Sequence, residues 1–204
     1  MPSIYGLKPK FQSLLRPLSN GLARAGVTAN VVTIGAVLLS FAAGLAVFHF
    51  RSLRFLLLLP AVLFLRMALN AIDGMLAREH NQKSPLGVIL NELGDVFSDA
   101  AIYLPLAVLP PFDATLVVLI VLLAVISEMM GAVAVQIGAS RRYDGPMGKS
   151  DRAFVFGILG LLLGLRLPIF RVVIPVQWIV LALLLGTIAK RARGALREIR
   201  GRRS

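Results

Sequence analysis

The chain of 204 residues contains no cysteine. This absence excludes a disulfide framework, a thiolate metal site and a cysteine nucleophile, and it leaves the redox compartment undetermined. Aromatic residues are also scarce, at 7% of the chain, and no aromatic platform for stacking nucleic-acid bases is evident. We therefore expect no nucleic-acid partner.

Acidic residues are few, with 10 Asp and Glu against 22 Lys and Arg, which leaves a formal net charge of +12. The chain is 57% hydrophobic with a mean hydropathy of +0.82. Its apolar stretches have the roughly twenty residues needed to cross a bilayer core of about 30 Å. Because the basic residues lie between these stretches, the charge indicates membrane topology.

The hydropathy predicts an all-α integral membrane protein with six transmembrane helices. The predicted spans are 28–50, 55–78, 86–109, 114–138, 152–170 and 172–190. With this layout, most of the 22 Lys and Arg residues lie on one side of the membrane. The opposite side holds only Arg51, Arg54, Arg166 and Arg171, and Arg66 lies within a span. By the positive-inside rule, both termini and the connection between the second and third spans face the cytoplasm, in a multi-pass protein of the cell's inner membrane.

Residues 1–26 lack the apolar core of a cleavable signal, so we expect them to be retained. Apolar residues such as Tyr5 and Leu14 interleave there with basic ones, which predicts an amphipathic helix in the headgroup layer, with a disordered basic leader as the alternative. No internal repeat is evident, so residues 27–192 form one predicted six-helix domain. Residues 193–204 form a basic cytoplasmic tail that touches anionic lipid or frays.

Acidic side chains occur inside the apolar runs, at Asp73, Glu92, Asp95 and Asp99. Each carboxylate costs about 2.5 to 3.5 kcal/mol at the centre of a membrane helix. Such a cluster needs a cation, a polar cavity, or both.

The second and third spans must be antiparallel, because only a short connection joins them. At 1.5 Å per residue, Asp73 and Asn91 each lie about 7 Å inside, while Asn70 lies about 12 Å and Asp95 about 13 Å inside. The three- and four-residue spacings place these side chains on one face of each helix. We therefore predict that Asn70 faces Asp95 and that Asp73 faces Asn91.

Carboxylate and amide oxygens suit a hard cation, Mg²⁺ first and Mn²⁺ second, and Mg²⁺ is often shared with substrate phosphates. Gly74, Ala77 and Gly87 would let a backbone or a ligand approach closely. The pattern thus indicates phosphate chemistry. Interhelical hydrogen bonds, or a proton or ion path, are the alternatives.

The segment resembles the signature of the CDP-alcohol phosphotransferase (phosphatidyltransferase) family, D-x2-D-G-x2-A-R-x8-G-x3-D-x3-D, with every spacing kept. The positions concerned are Asn70, Asp73, Gly74, Ala77, Arg78, Gly87, Asn91 and Asp95. In addition, Thr28-Ala-Asn30 is similar to the Thr-Pro-Asn that opens the first span of that family.

The resemblance implies transfer of a phosphatidyl group from CDP-diacylglycerol, or a related CDP-alcohol, to a small polar or phosphorylated alcohol, with release of CMP, in a homodimer. It also implies two divalent ions that bridge the pyrophosphate. Asn70, Asp73, Asn91 and Asp95 would ligate metal, and Asp95 would be the general base on the acceptor hydroxyl. The residues bordering the CDP group would be Gly74, Ala77, Arg78 and Gly87.

Two positions depart from the family pattern, because Asn70 and Asn91 stand where it carries Asp. An amide still offers a neutral carbonyl ligand, so we expect weaker metal binding, with a second ion arriving with the nucleotide. Catalysis would then be retained, as in a bacterial branch of the family. The alternative is a non-catalytic lipid- or nucleotide-binding membrane protein of the same fold, and a transporter or channel comes third.

Three further sites carry weaker expectations. Arg141, Lys149 and Arg152 lie near the predicted cytoplasmic mouth and could bind an anionic acceptor, although topogenic charge also explains them. Arg66 and Asp99 have the same estimated depth, which predicts an ion pair, with a contact of Arg66 to Glu128 or to a ligand phosphate as the alternative. Glu128, in the middle of a span, is either a structural carboxyl or part of the acceptor site.

Overall fold

The computed structural model describes residues 7–202, with side chains from Phe11 to Arg202. Residues 1–6 of the predicted N-terminal segment, with Tyr5, and residues 203–204 of the predicted tail lie outside the described residues. Residues 7–202 form α-helices without a strand, which confirms the all-α class for that part of the chain. The helices are α1 Leu7–Arg24, α2 Ala29–Phe50, α3 Leu58–Glu79, α4 Pro85–Tyr103, α5 Ala114–Gln136, α6 Lys149–Gly164 and α7 Phe170–Gly201. Short 3₁₀ segments occupy Leu53–Leu57 and Leu104–Val108.

Four of these segments are long and apolar enough to cross a membrane, which identifies a multi-pass membrane protein. They are Ala29–Phe50, Leu53–Glu79, Ala114–Gln136 and Phe170–Gly201. The predicted count of six is not confirmed, since α4 carries three acidic residues and α6 has 16 residues, about 24 Å at 1.5 Å per residue. Helix α7 continues through most of the predicted tail.

The chain divides into two compact units, residues 1–42 with 61–98, and residues 43–60 with 99–204. The first unit is built on an apolar cluster of Ala29, Val32, Ile72 and Leu76, against which Leu15, Leu22 and Ala23 of α1 pack. Arg16 of α1 donates two hydrogen bonds to Glu79 at the end of α3, at 3.1 and 3.0 Å. The bonds to Glu79 raise the pKa of Arg16 further above its usual value.

The connection between α3 and α4 caps the start of α2. The Gln82 side-chain oxygen accepts a hydrogen bond from the Ala29 N–H at 2.7 Å, and the Thr28 hydroxyl accepts one from the Val31 N–H at 3.4 Å. The first N–H groups of a helix have no partner within the helix, so these bonds satisfy groups that would otherwise need water. They hold α2 beside the two helices that carry the signature.

In the second unit, α5 and α7 run parallel in a fixed register of 64 residues. At one end, the Gln177 side chain accepts from the Asp113 N–H at 3.0 Å and donates to the Asp113 carbonyl at 3.1 Å. Farther along, Arg191 donates to the Ser127 carbonyl, with the same offset. Gly131 and Ala134 of α5 are buried, and small residues of this kind allow two membrane helices to approach closely.

Helix α6 packs tightly on the 3₁₀ segment Leu53–Leu57 within the same unit. A Cβ atom at Gly160 would lie 2.9 Å from the Leu56 carbonyl oxygen, and one at Gly164 would lie 2.7 Å from the Leu57 side chain. Any larger residue at either position would force the two segments apart. The end of α6 is therefore held directly against the start of the α3 span.

Candidate active site

The two halves of the signature meet through a hydrogen bond between α3 and α4 in the first unit. The Asn70 side-chain amide donates to the Asp95 carboxylate at 3.1 Å. The predicted pairing of these two residues is thus confirmed. This bond uses the amide nitrogen of Asn70, which is the donor of the side chain. The carbonyl oxygen of the same amide keeps its lone pairs for a second contact.

Asp73, one turn from Asn70 on α3, is buried with 5% of its surface exposed. The Thr33 hydroxyl of α2 donates to its carboxylate at 2.8 Å. This contact fixes one carboxylate oxygen, and it comes from a helix outside the signature. Sequence reasoning did not single out Thr33, although it lies one turn beyond Asn30 of the Thr-Ala-Asn segment.

Two glycines of the signature leave room beside polar groups. A Cβ atom at Gly74 would lie 3.1 Å from both terminal guanidinium nitrogens of Arg78, so the Arg78 side chain lies over this glycine. A Cβ atom at Gly87 would lie 3.0 Å from the Asn30 side-chain oxygen and 3.1 Å from the Ser84 hydroxyl. The Ser84 hydroxyl in turn accepts from the Gly87 N–H at 3.0 Å.

The remaining signature residues differ in exposure. Ala77 packs against the apolar cluster of the first unit. Asn91 is exposed on α4, and Asp95 is partly buried. The signature residues therefore range from buried, at Asp73, to exposed, at Asn91.

The donor set suits a hard divalent cation that is also held by a ligand's phosphates. Among residues 7–202, no three His, Cys, Asp or Glu side chains gather as a metal site of acidic and imidazole ligands would require. The signature instead offers two carboxylates, Asp73 and Asp95, and two amides, Asn70 and Asn91. Oxygen ligands of this kind fit Mg²⁺ or Mn²⁺, whose coordination in phosphate-handling sites is completed by substrate.

The second unit contains a cluster in which three arginines converge on Glu128 of α5. Its carboxylate lies 3.5 Å from Arg152, 3.4 Å from Arg191 and 3.8 Å from Arg141. Arg152 also donates to Asp99 at 2.8 Å. Arg152 and Arg191 are almost fully buried, at 0% and 1% exposure. Three cations against two carboxylates make this cluster electropositive.

Two of the three residues predicted to bind an acceptor, Arg141 and Arg152, thus lie in one cluster. The third, Lys149, is the first residue of α6 and is partly buried. Sequence reasoning missed Arg191, which was counted among the basic residues at the cytoplasmic end of the last span. The signal was its spacing, because Leu184, Thr187, Arg191 and Ala195 recur at three and four residues and all face the core.

Arg66 and Asp99 are both buried, at 3% and 6% exposure. Asp99 accepts from Arg152 of α6, as described above. The ion pair between Arg66 and Asp99 stays a prediction.

The sequence profile of CDP-alcohol phosphatidyltransferases matches residues 26–188, which include the whole signature and the Thr-Ala-Asn segment. The chain belongs to this family. Its members carry out phosphatidyl transfer in phospholipid synthesis, so the family places the chain among the phosphatidyltransferases.

Relatives of this family member include the inner membrane protein YnbA of Escherichia coli, 52% identical over 159 residues, which cover 78% of this chain and 79% of YnbA. An uncharacterized protein of Aquifex aeolicus is 37% identical over 102 residues, half of each chain. Together with the four apolar helices, the E. coli relative identifies a multi-pass inner membrane protein.

The fold is that of the phosphatidylinositol phosphate synthase PgsA1 of Mycobacterium tuberculosis. The structure of PgsA1 with CDP-DAG bound aligns at a TM-score of 0.71 and 23% identity, covering 88% of this chain and 92% of that one. The structure of PgsA1 with manganese and citrate aligns at 0.71 and 22% identity, covering 88% of each chain.

Proposed function

We propose that the protein transfers the phosphatidyl group of CDP-diacylglycerol, or of a related CDP-alcohol, to a small polar or phosphorylated alcohol and releases CMP. The observation that carries the proposal is the hydrogen bond between Asn70 and Asp95. It joins the two halves of the family signature on facing helices, although two of the four family carboxylates are amides here.

Asn70, Asp73, Asn91 and Asp95 would hold Mg²⁺ or Mn²⁺. When bound, the metal would neutralise charge on the phosphorus oxygens and make the phosphorus more electrophilic. Thr33 supports this role because its hydroxyl orients the Asp73 carboxylate. With two amides in the set, the protein supplies half the formal charge of the family pattern, so the pyrophosphate of the donor should contribute more of the binding.

Asp95 would act as the general base. It accepts the proton of the acceptor hydroxyl as the hydroxyl oxygen forms a bond to the phosphorus of the phosphatidyl group. The bond between that phosphorus and the bridging oxygen of the pyrophosphate breaks, and CMP leaves with the bonding electrons. Asp95 is partly exposed, so an acceptor can reach it, and the Asn70 amide holds one of the Asp95 carboxylate oxygens.

Gly74, Ala77, Arg78 and Gly87 would border the CDP group. The guanidinium of Arg78 lies over Gly74, where no side chain blocks a phosphate from reaching it. Ser84 and Asn30 place polar atoms beside Gly87, which suits a nucleotide. A planar guanidinium donates to two phosphate oxygens at once, so Arg78 is the strongest donor of this set.

The acceptor would bind at Arg141, Lys149 and Arg152, and we add Arg191 on the strength of its place in the same cluster. The excess of guanidinium over carboxylate favours an anionic acceptor, such as a phosphorylated alcohol. A neutral acceptor would gain little from this charge.

The proposal includes the membrane arrangement predicted from the sequence: six spans, with both termini and the active site in the cytoplasm, and a homodimer. It also places α1 in the headgroup layer. Leu14 and Leu18 of α1 are exposed, at 75% and 54%, while Leu15 and Leu22 pack inward, so an apolar strip is left for lipid.

The test offers purified protein CDP-diacylglycerol, Mg²⁺ or Mn²⁺, and glycerol phosphate, inositol phosphate, serine and a lipid alcohol in separate reactions. We expect CMP and a new phospholipid, both measured by mass spectrometry, with a phosphorylated acceptor and with divalent metal. The variant Asp95→Asn, which removes the proposed base, should lose CMP release. Its matched control is Glu79→Gln, an acid-to-amide change on α3 outside the signature. No CMP with any acceptor and either metal would contradict the proposal.

A second candidate function is non-catalytic binding of a lipid or nucleotide, and the amides at Asn70 and Asn91 favour it. In that case CDP-diacylglycerol would bind without CMP release. Binding measured by thermal shift in the same samples separates this outcome from an inactive preparation.

A further inference from the structure

A cavity of about 440 Å³ lies in the second unit, and its lining residues are Arg51, Ser52, Leu53, Arg166 and Phe170. These residues follow the ends of α2 and α6 and begin α7. Arg152 lies near the start of α6 and Arg166 just past its end, so the cavity and the arginine cluster are at opposite ends of α6. The cavity is therefore separate from the acceptor site proposed above.

The backbone at both cavity arginines has a conformation that favours glycine. Arg51 has a φ of 47° and Arg166 a φ of 60°. Each is the residue that closes a helix: the Arg51 N–H bonds the Val47 carbonyl at 3.1 Å, and the Arg166 N–H bonds the Leu163 carbonyl at 2.9 Å. Glycine is the usual residue at this position because side chains are strained at positive φ.

Three non-glycine residues among 7–202 have positive φ, and two of them line this one cavity. Asparagine, the third, tolerates this conformation through its short polar side chain, whereas arginine has no such local reason. Residues with strained backbone cluster at binding and catalytic sites, so the strain directs attention to the two guanidinium groups.

The chemistry of the lining suits a phosphate group. Two guanidinium groups can each donate in pairs to phosphate oxygens. Ser52 adds a hydroxyl that forms no cap on the 3₁₀ segment it precedes. Helix α7 begins at Phe170, and a helix N-terminus adds partial positive charge. The Arg51 guanidinium also rests over the Phe48 ring, 5.5 Å from its centroid, which limits its freedom.

The position of the cavity indicates the source of the phosphate. Arg51 and Ser52 lie between the apolar segments Ala29–Phe50 and Leu53–Glu79, and Phe170 begins a third. The ends of membrane spans meet the headgroup layer, where lipid phosphates are abundant. We propose that this cavity binds a phosphate group, and that the phosphate of an anionic lipid headgroup is its ligand. The inference does not rest on the transfer reaction.

The test compares three double variants of the purified protein in detergent, titrated with dioleoylphosphatidylglycerol and followed by native mass spectrometry. Arg51→Gln with Arg166→Gln should weaken lipid binding at least about tenfold, because two charge-assisted contacts are lost. The matched control, Arg54→Gln with Arg171→Gln, removes two exposed arginines near the same helix ends that do not line the cavity, and it should bind as the unaltered protein does. Equal weakening in both variants, or in neither, would overturn the proposal.

The third variant, Arg51→Gly with Arg166→Gly, separates ligand binding from folding. Without added lipid its Tm should equal or exceed that of the unaltered protein, since the strain at positive φ is relieved. The rise in Tm that lipid produces in the unaltered protein should be lost. A lower Tm without lipid would mean that the arginines serve the fold, and the proposal would be wrong.

A parallel titration with inorganic phosphate identifies the source. If lipid raises the Tm of the unaltered protein and inorganic phosphate does not, the result supports the lipid headgroup as the ligand. Equal protection by inorganic phosphate, lost in the Arg51 and Arg166 variants, supports the phosphate site and assigns it to soluble phosphates.

Discussion

The signature carboxylates of the first unit and the carboxylates of Asp99 and Glu128 in the second unit have different kinds of donor. In the signature, the Thr33 hydroxyl donates to Asp73, and the Asn70 amide donates to Asp95. In the second unit, guanidinium groups contact the acids, with Arg152 on Asp99 and three arginines around Glu128.

This difference suits the two groups of carboxylates to different ligands, a cation and an anion. A hydroxyl or an amide orients a carboxylate without neutralising its charge, so the contacts from Thr33 and Asn70 are compatible with a bound cation. A carboxylate among several arginines is neutralised, and the surplus cation can meet an anion. The first unit therefore offers a candidate cation site, and the second unit offers a cluster that favours an anion.

The largest expected effect comes from Asp95→Asn. Removing the proposed base should lower the rate of CMP release about 10²- to 10⁴-fold, the usual range for general-base catalysis. The measurement is CMP release at saturating CDP-diacylglycerol, with Glu79→Gln as the control that should stay within about twofold. Equal turnover by Asp95→Asn would remove Asp95 as the base and weaken the contrast between the two units.

The arginine cluster is broken most severely by Arg152→Met. Arg152 is fully buried and contacts both Asp99 and Glu128, so its loss leaves buried carboxylates with less compensation and should cost about 3 to 5 kcal/mol of stability. Unfolding in detergent measures the change.

Arg142→Met is the control for the cluster. Arg142 contacts Asp144 and Glu198 in the same unit, but its side chain is 24% exposed, so solvent replaces part of what is lost. An equal loss of stability in both variants would mean that burial of the cluster does not increase its contribution to the free energy of unfolding.

Asn70→Asp tests metal binding at the signature, because it restores the family's carboxylate. The new carboxylate would face Asp95 at the present 3.1 Å contact, so the two charges repel until a cation binds. We expect a lower Tm with EDTA and an approximately tenfold lower Mn²⁺ concentration for half-maximal activity.

Asn91→Asp is the matched change at the exposed signature position, and its Tm with EDTA should fall less, because an exposed carboxylate is not held against Asp95 as one at position 70 would be. A Tm with EDTA that falls equally in both variants would argue against direct repulsion at Asn70.

Sequence reasoning predicted the first unit better than the second, for a physical reason. The pairing of Asn70 with Asp95 followed from helical rise alone, since a short connection forces two helices to be antiparallel. Arg191 could not be assigned in this way, because its partner Glu128 is on a different helix and nothing in the sequence states that α5 and α7 are parallel with a 64-residue register. Thr33 was missed for the same reason, because its contact with Asp73 depends on how α2 packs.

The smallest expected effect distinguishes two glycines of the first unit. A Cβ at Gly74 would displace only the end of the flexible Arg78 side chain, 3.1 Å away, so Gly74→Ala should raise the KM for CDP-diacylglycerol a few-fold, by about two to ten times, and leave stability unchanged or slightly higher. A Cβ at Gly94 would instead lie 3.1 Å from Val37 of α2, whose branched side chain cannot move freely, so Gly94→Ala should lower the Tm without changing the KM. Kinetics and thermal unfolding of both variants measure the difference. If Gly74→Ala lowered the Tm and left the KM unchanged, Gly74 would serve helix packing, and the CDP group would bind elsewhere.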